Sequence, residues 1–255
     1  MKKLANKVAL ITGAGAGMGK AIVQLFAAEG SKIIVTDINA ERLDELSVEV
    51  KKNGGEITTL VADMALETDI ENMIQLAVQT YGTLDILVNN AGIMDHFQPV
   101  GELENSMWEK VMKVNLEGPF KAMRSAVKIF LKNGTGNIIN ICSIGGIKGG
   151  VAGAAYTTSK HALIGLTKNT GYMYSKSGIR CNAIAPGGVN TSIGDTIDMS
   201  KITPLVNDRI MSGMALNPRM GEASEIANAA LFLASDDASF VNAQVLVVDG
   251  GWSAY

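Results

Sequence analysis

The chain has 255 residues, 47% of them hydrophobic and 18% charged, with a formal net charge of −3. That supplies a large core within the size of one α/β domain and excludes the clustered basic face of a nucleic-acid binder and a polybasic membrane anchor. No apolar run approaches the roughly 20 residues that span a bilayer, and the opening stretch 1–7 lacks the apolar segment of a secretory leader. With Cys142 and Cys181 read as reduced, buried thiols, the expectation is a soluble cytoplasmic protein with neither membrane nor nucleic-acid partners.

In chain order, short β-branched runs alternate with longer helical patterns, which argues for a parallel sheet with helices on both faces. Residues 8–11 read as a strand. Residues 19–30 read as a helix with Ile22, Val23, Leu25 and Phe26 on its apolar side. A strand follows over 32–36, then a helix over 41–52 stopped by Asn53-Gly54-Gly55. Next come a strand at 57–61, a helix at 68–81 closed by Gly82, and a strand at 84–88. The spacing then predicts one long helix over 107–131, bent where Gly118-Pro119 removes a backbone bond. Strands at 137–142, 180–185 and 244–248 alternate with helices at 154–174 and 224–234. The sum is a seven-stranded, doubly wound sheet in one domain spanning 1–255.

Residues 187–221 break the rhythm. The stretch carries Pro204, Pro218 and four methionines, Met199, Met211, Met214 and Met220. A loop this long in a compact domain is usually functional. It is read as a substrate-binding loop whose methionines form an adaptable apolar lid or simply pack it onto the body.

Between the first strand and the first helix lies Thr12-Gly13-Ala14-Gly15-Ala16-Gly17-Met18-Gly19. Glycines there permit a sharp turn and a close backbone approach to a pyrophosphate, and the following helix start offers N–H groups to the anion. In another context the same residues are a plain tight turn. Asp37 ends the second strand, 18 residues beyond Gly19. A carboxylate at that place accepts the adenosine ribose hydroxyls and repels a 2′-phosphate. Ile38, Asn39 and Ala16 bring no arginine beside it, so NAD is favoured over NADP. Asp37 and Asn39 are equally candidates to cap the next helix. Asp63, after the third strand, reads as an adenine contact or as a helix cap. Asn89-Asn90-Ala91-Gly92 ends the fourth strand. All these loops fall at the carboxyl edge of the sheet, where ligands of such sheets sit.

Tyr156 and Lys160 stand one helical turn apart on a shared face. A nearby ammonium stabilises a phenolate and lowers a tyrosine pKa from about 10, so the pair can trade a proton with an alcohol. Ser143, ending the fifth strand, can donate to a substrate oxygen as charge develops. Asn115, on the long helix, can hold a proton-carrying water. A Tyr-x-x-x-Lys pair by itself is an ordinary helix surface; Ser143 and the glycine loop give it weight.

In order and spacing, Thr12-Gly13-x-x-x-Gly17-x-Gly19, Asp63, Asn89-Asn90-Ala91-Gly92, Asn115, Ser143, Tyr156-x-x-x-Lys160 and Pro186-Gly187 resemble the classical short-chain dehydrogenases/reductases over nearly the whole chain. The resemblance implies a Rossmann fold and an NAD(H)-dependent interconversion of alcohol and carbonyl. Tyr156 would be the general acid/base, Lys160 the residue that binds the nicotinamide ribose and depresses the tyrosine pKa, Ser143 the substrate-orienting hydroxyl, and Asn115 the end of a proton relay. Gly13, Gly17, Met18 and Gly19 would meet the pyrophosphate side. Asp37, Ile38, Asp63 and Met64 would meet the adenosine. Asn90, Ala91, Gly92 and Ile93 would lie by the ribose, and Pro186, Gly187, Val189 and Thr191 by the nicotinamide. No metal is required. A homotetramer is implied through the long helices and the C-terminal Asp249-Gly250-Gly251-Trp252.

His96 reads as a solvated loop residue, His161 as packing turned away from Lys160, and Asp236-Asp237 as a turn. The leading expectation is an NAD-dependent dehydrogenase of a small alcohol or ketone. Its rivals are a 3-oxoacyl-carrier-protein reductase, a glucose-type sugar dehydrogenase or a steroid dehydrogenase, and, from another class, a dinucleotide-binding regulator without turnover. Asp37 and the sparse bases near Lys128 and Lys132 speak against the carrier-protein reading.

Overall fold

The computed structural model describes residues 2–254; Met1, the first residue of the opening stretch 1–7, lies outside them. Seven parallel strands form one sheet in the order β3-β2-β1-β4-β5-β6-β7. They are β1 (Val8–Thr12), β2 (Lys32–Asp37), β3 (Glu56–Val61), β4 (Ile86–Asn89), β5 (Gly136–Ile141), β6 (Ile179–Pro186) and β7 (Val245–Val248). The order reverses between β1 and β4, which opens a crevice beyond their carboxyl ends. β1 is buried throughout, as is β5, which is why these strands read as unbroken apolar runs rather than alternating ones.

Helices cover both faces. α1 (Gly17–Ala28) and α2 (Ala40–Lys52) lie on one side with α7 (Ala223–Ala234). Ile22, Phe26, Leu43, Leu46, Ile226 and Leu231 pack there against Ile11, Ile33 and Val88. On the other side, α3 (Glu67–Tyr81) and α5 (Gly118–Asn133) press Ile70, Met73, Met123 and Phe130 onto Leu10, Ile34 and Ile138. Truncating a core aromatic such as Phe130 costs about 3–5 kcal/mol. Its ring lies so close over β5 that a β-carbon at Gly136 would come within 2.6 Å of it. α6 (Ala154–Tyr174) has the bounds its periodicity gives and buries Leu163 and Ile164 beside Cys142 and Ala183. Cys142 and Cys181 are free and buried, as expected, and burial pushes both thiols up.

The predicted long helix is present as one helical run with a π turn inside it. α4 (Asn105–Met112) passes into a π turn over Lys113–Glu117 before α5 resumes at Gly118. Pro119 directly follows this π turn, and its missing N–H cannot bond back to a carbonyl of the preceding turn, so the irregularity falls where the sequence placed it and takes the form of a widened turn. Such π turns inside α-helices often mark functional positions. Gly118 is needed because a side chain there would run into Met64.

The 187–221 stretch is a string of short helical turns, including Ser192–Thr196, Met199–Lys201 and a π turn at Asn207–Met211. Its ends are stitched together where Asn190 N–H donates to the Gly221 carbonyl at 2.9 Å. Its far part is pinned by the Trp252 indole N–H, which donates to the Gly213 carbonyl at 3.1 Å. No helix among the described residues is long and apolar enough to cross a membrane.

Candidate active site

Every strand that carries a predicted ligand residue ends on the same edge of the sheet. At the end of β1 the chain turns through Gly13, whose φ of 62° is left-handed, and again at Gly17, whose φ is 52°. Only glycine takes these angles without strain. Gly13 also lies against Ala91: a β-carbon there would sit 2.7 Å from the Ala91 α-carbon. Gly19 meets the same constraint from Asn90, whose amide nitrogen would be 2.5 Å away. Asn90 thus belongs to the loop's construction. Its amide donates to Thr12 O at 2.9 Å and Gly13 O at 2.8 Å, while the Thr12 hydroxyl accepts from the N–H groups of Asn90 and Ala91 at 3.1 Å each.

Asp37 and Asn39, read as interchangeable caps, have separate jobs. Asn39 caps α2 by accepting from Arg42 N–H at 2.9 Å. The Asp37 carboxylate accepts from Gly15 N–H at 2.9 Å and Asn39 N–H at 3.0 Å, so it is tied to the glycine loop. The expectation that no arginine lies nearby is corrected. The first turn of α2 swings Arg42 alongside, and a β-carbon at Gly15 would be 3.0 Å from both the Arg42 β-carbon and the Asp37 carboxyl. Helix geometry brings position 42 back to the strand end that sequence adjacency left empty.

Asp63 does not cap α3. It accepts from Ala65 N–H at 2.8 Å, closing its own turn. Ile38 is largely exposed beyond β2, and Met18 packs partly against the core. Met64, expected at the adenosine, puts its side chain into the core beneath α5, which leaves only its backbone for a ligand. Thr191 reaches the glycine loop: a β-carbon at Gly17 would lie 3.0 Å from it. Pro186 ends β6, Gly187 abuts Asp249, and Val189 bridges to Gly221.

The proton-handling residues converge on this edge. Tyr156 and Lys160 are both buried, and the Lys160 ammonium donates to Ile141 O at 2.9 Å, 5.5 Å from the centre of the Tyr156 ring. Ser143 accepts from Gly145 N–H at 3.0 Å, and its hydroxyl and the Tyr156 ring both border that glycine: a β-carbon at Gly145 would stand 3.4 Å from the hydroxyl oxygen and 3.5 Å from a ring carbon. Gly92 closes the group. A β-carbon there would stand 3.4 Å from the lysine nitrogen and 3.5 Å from the Asn115 oxygen.

Asn115 sits in the π turn, fully buried. Its oxygen accepts from Ile93 N–H at 2.9 Å, and its nitrogen donates to Ile93 O at 2.9 Å and Ser159 Oγ at 3.3 Å. The amide is spent on joining the fourth-strand loop to α4–α5 and α6.

Burial, more than the neighbouring ammonium, sets the phenol. Desolvation pushes the Tyr156 pKa up to about 12, against a lowering bond from Ser143, while Cys142 and Asp95 raise it further. Burial likewise holds Lys160 below the usual lysine value. Burial therefore outweighs any depression of the tyrosine by Lys160, whose ammonium is turned to a backbone carbonyl.

Three residues were missed or misjudged. Asp95, fully buried, accepts from Tyr156 N–H at 2.8 Å. His96 is not a free loop residue: its Nδ1 accepts from Asp198 N–H at 2.9 Å, docking the 187–221 stretch. His161 is exposed rather than packed, bonded only back to the Thr157 carbonyl at 2.9 Å among the described contacts. A lone acid and histidine after an apolar turn carry no periodic signal.

Two of the cavities among the described residues flank the sheet. One of about 440 Å³ lies at the opposite edge, lined by Asp85, Asn137 and Arg180, away from every residue above. The other, about 610 Å³, adjoins the start of α6 and is lined by Phe97, Leu205, Val206, Arg209 and Ile210.

Residues 13–253 match a family described as enoyl-(acyl carrier protein) reductase. The chain is 44% identical over 253 residues to 3β-hydroxysteroid dehydrogenase 2 of Eggerthella lenta, covering 99% of this chain and 96% of that one. The crystal structure of levodione reductase superposes with a TM-score of 0.90 at 35% identity over 99% of this chain and all of that one. A putative NAD(P)-dependent gluconate 5-dehydrogenase from Beutenbergia cavernae, solved with bound NADP, gives 0.87 at 34% identity, with 99% of each chain covered. The turn geometry, the Ser143–Tyr156–Lys160 cluster and these likenesses agree: the chain belongs to the classical short-chain dehydrogenase/reductase family, and it is an oxidoreductase of alcohol and carbonyl groups.

Proposed function

We propose that the protein interconverts a secondary alcohol and its ketone with NAD(H), Tyr156 exchanging the proton. The observation that carries this is the buried Tyr156 ring with the Ser143 hydroxyl and the Lys160 ammonium beside it, at the edge where the glycine loop opens. The residues present fit a dinucleotide. The left-handed turns at Gly13 and Gly17 leave no room for side chains, and the N-terminus of α1 follows directly. Asp37 stands where it can accept ribose hydroxyls.

Bound in this cradle, the nicotinamide supplies or accepts the hydride. The chain's own residues handle the proton. In reduction, Tyr156 gives its phenolic proton to the substrate oxygen while Ser143 donates a hydrogen bond to that oxygen. A phenol held near 12 keeps its proton until the oxygen becomes a strong base. In the reverse direction the phenolate takes the alcohol proton, and the positive charge of Lys160 supports it. Asn115 holds the π turn and the Ile93 loop in register beside Lys160, next to the carbonyls through which a relay water would be held. No residue of this set calls for a metal.

The apolar cavity beside α6 suits an extended apolar alcohol, in keeping with the hydroxysteroid enzyme among its relatives. The carrier-protein reading has the family description in its favour and Asp37 against it. A homotetramer working in the cytoplasm completes the proposal; light scattering that shows only monomer removes the tetramer.

The test is NADH and NADPH consumption with a panel of steroid, cyclic and sugar ketones. Tyr156→Phe should lose about 10²–10⁴ in turnover while still binding NADH. Full turnover in that variant, or cofactor binding without turnover on any substrate, would overturn the reading.

A further inference from the structure

We infer that Asp95 is a positioning residue, a buried carboxylate that caps the first turn of α6 from outside the helix and thereby fixes where Tyr156 stands. This rests on Tyr156 being the proton-exchanging group.

α6 begins without a side-chain cap of its own, since the N-cap residue is Gly153. Four N–H groups at a helix start need partners. Two of them are met by the segment that follows β4. Ala154 N–H donates to Gln98 O at 2.9 Å, and Tyr156 N–H donates to the Asp95 carboxylate at 2.8 Å. The other carboxylate oxygen accepts from Phe97 N–H at 3.2 Å, which folds the segment back on itself. That fold forces two consecutive non-glycine residues, His96 at φ 56° and Phe97 at φ 61°, into the left-handed region. Such a conformation costs about 1–2 kcal/mol per residue and persists only where surroundings over-determine it.

Gly153 is the counterpart. A β-carbon there would come within 2.6 Å of the Asp95 carboxyl carbon. The missing side chain is the space the carboxylate fills. Asp95 is 0% exposed, and burial raises its pKa, opposed by its backbone N–H donors. A carboxylate buried this way is expensive, and an asparagine or serine at position 153 would cap the helix at no such cost. What the arrangement adds is a tie between the backbone of Tyr156 itself and the segment after β4. The charged or titratable groups that bear on Tyr156 are Lys160 from its own helix, Cys142 from the end of β5 and Asp95 from the loop after β4.

The experiment compares Asp95→Ala, Asp95→Asn and Gly153→Ala. Asp95→Ala should lower kcat at least tenfold with KM and NADH affinity within about twofold. Asp95→Asn, whose amide oxygen can still accept from Tyr156 N–H, should recover most of kcat and shift the alkaline limb of the pH profile to lower pH. The same downward shift should appear in the tyrosinate absorbance of Tyr156, read as the difference from the matching Tyr156→Phe protein. That readout needs no turnover, so it separates failure of this inference from failure of the catalytic reading. Gly153→Ala should cost kcat in the native background and little in the Asp95→Ala background. Wild-type kcat with an unchanged tyrosinate titration in Asp95→Ala, or additive losses in the double variant, would overturn the inference. If Asp95→Ala does not fold, Gly153→Ala, whose methyl group displaces the carboxylate, is read in the same way.

Discussion

Asn90 donates from its side-chain amide to the Gly13 carbonyl oxygen at 2.8 Å, so the loop after the fourth strand builds the turn after the first. A bond to Thr12 O from the same nitrogen doubles the tie. Asn90→Ala leaves both carbonyls without this partner and should cost about 1–3 kcal/mol. It should also weaken NADH binding, because the released turn no longer presents its backbone. Thermal melts with and without NADH measure both effects; a full ligand-induced shift in the variant contradicts the assignment.

The fold brings Asp37 and Arg42 to one side of Gly15, and the proposed function makes them the pair that sets cofactor choice. Wild type should favour NAD, since the Asp37 carboxylate repels a 2′-phosphate. Asp37→Ser should lose NAD affinity and gain NADP turnover, and Arg42→Ala added to it should reverse that gain. Ratios of kcat/KM for the two cofactors are the measurement. An unchanged ratio in Asp37→Ser counts against the ribose role.

Stability at alkaline pH should carry the mark of Tyr156. Its folded pKa, about 12, lies above the ordinary value of 10.0. The folded state therefore holds a proton that the unfolded state releases, and stability falls as pH rises through that window. A shift of this size corresponds to up to about 3 kcal/mol. Denaturant titrations at pH 9 and 11 should show wild type losing more stability than Tyr156→Phe, and equal losses would place the phenol in a more solvated setting.

The 187–221 stretch is fastened to the body at His96, whose ring accepts from Asp198 N–H. His96→Ala should raise KM severalfold with a smaller change in kcat, and should expose residues near 198 to faster limited proteolysis. Identical digestion patterns in the two proteins would contradict this.

The seven strands, the glycine turns, the Tyr156–Lys160 face and the end of α6 were legible because they depend on residues close in sequence. Hydrophobic period, glycine placement and helical spacing are local physics. The parallel topology then carries every strand end to one edge, so the loops holding Gly13, Asp37, Asn90 and Ser143 had to meet. Less was legible where partners come from afar. Asp95 caps a helix 61 residues away and His96 reaches a segment 102 residues on. Arg42 joins Asp37 only through the first turn of α2, and Met64 turns into the core because Gly118 lets α5 approach. The π turn at Asn115 answers to Ile93 and Ser159, not to its own neighbours.

By itself, then, the sequence determined the sheet, its ligand edge and the family of chemistry. The tertiary structure alone decided how deeply Tyr156 is buried, where the Lys160 charge points and what braces the helix between them. Proton affinity follows desolvation and charge at distances of a few ångströms, and those distances exist only once distant segments have packed together.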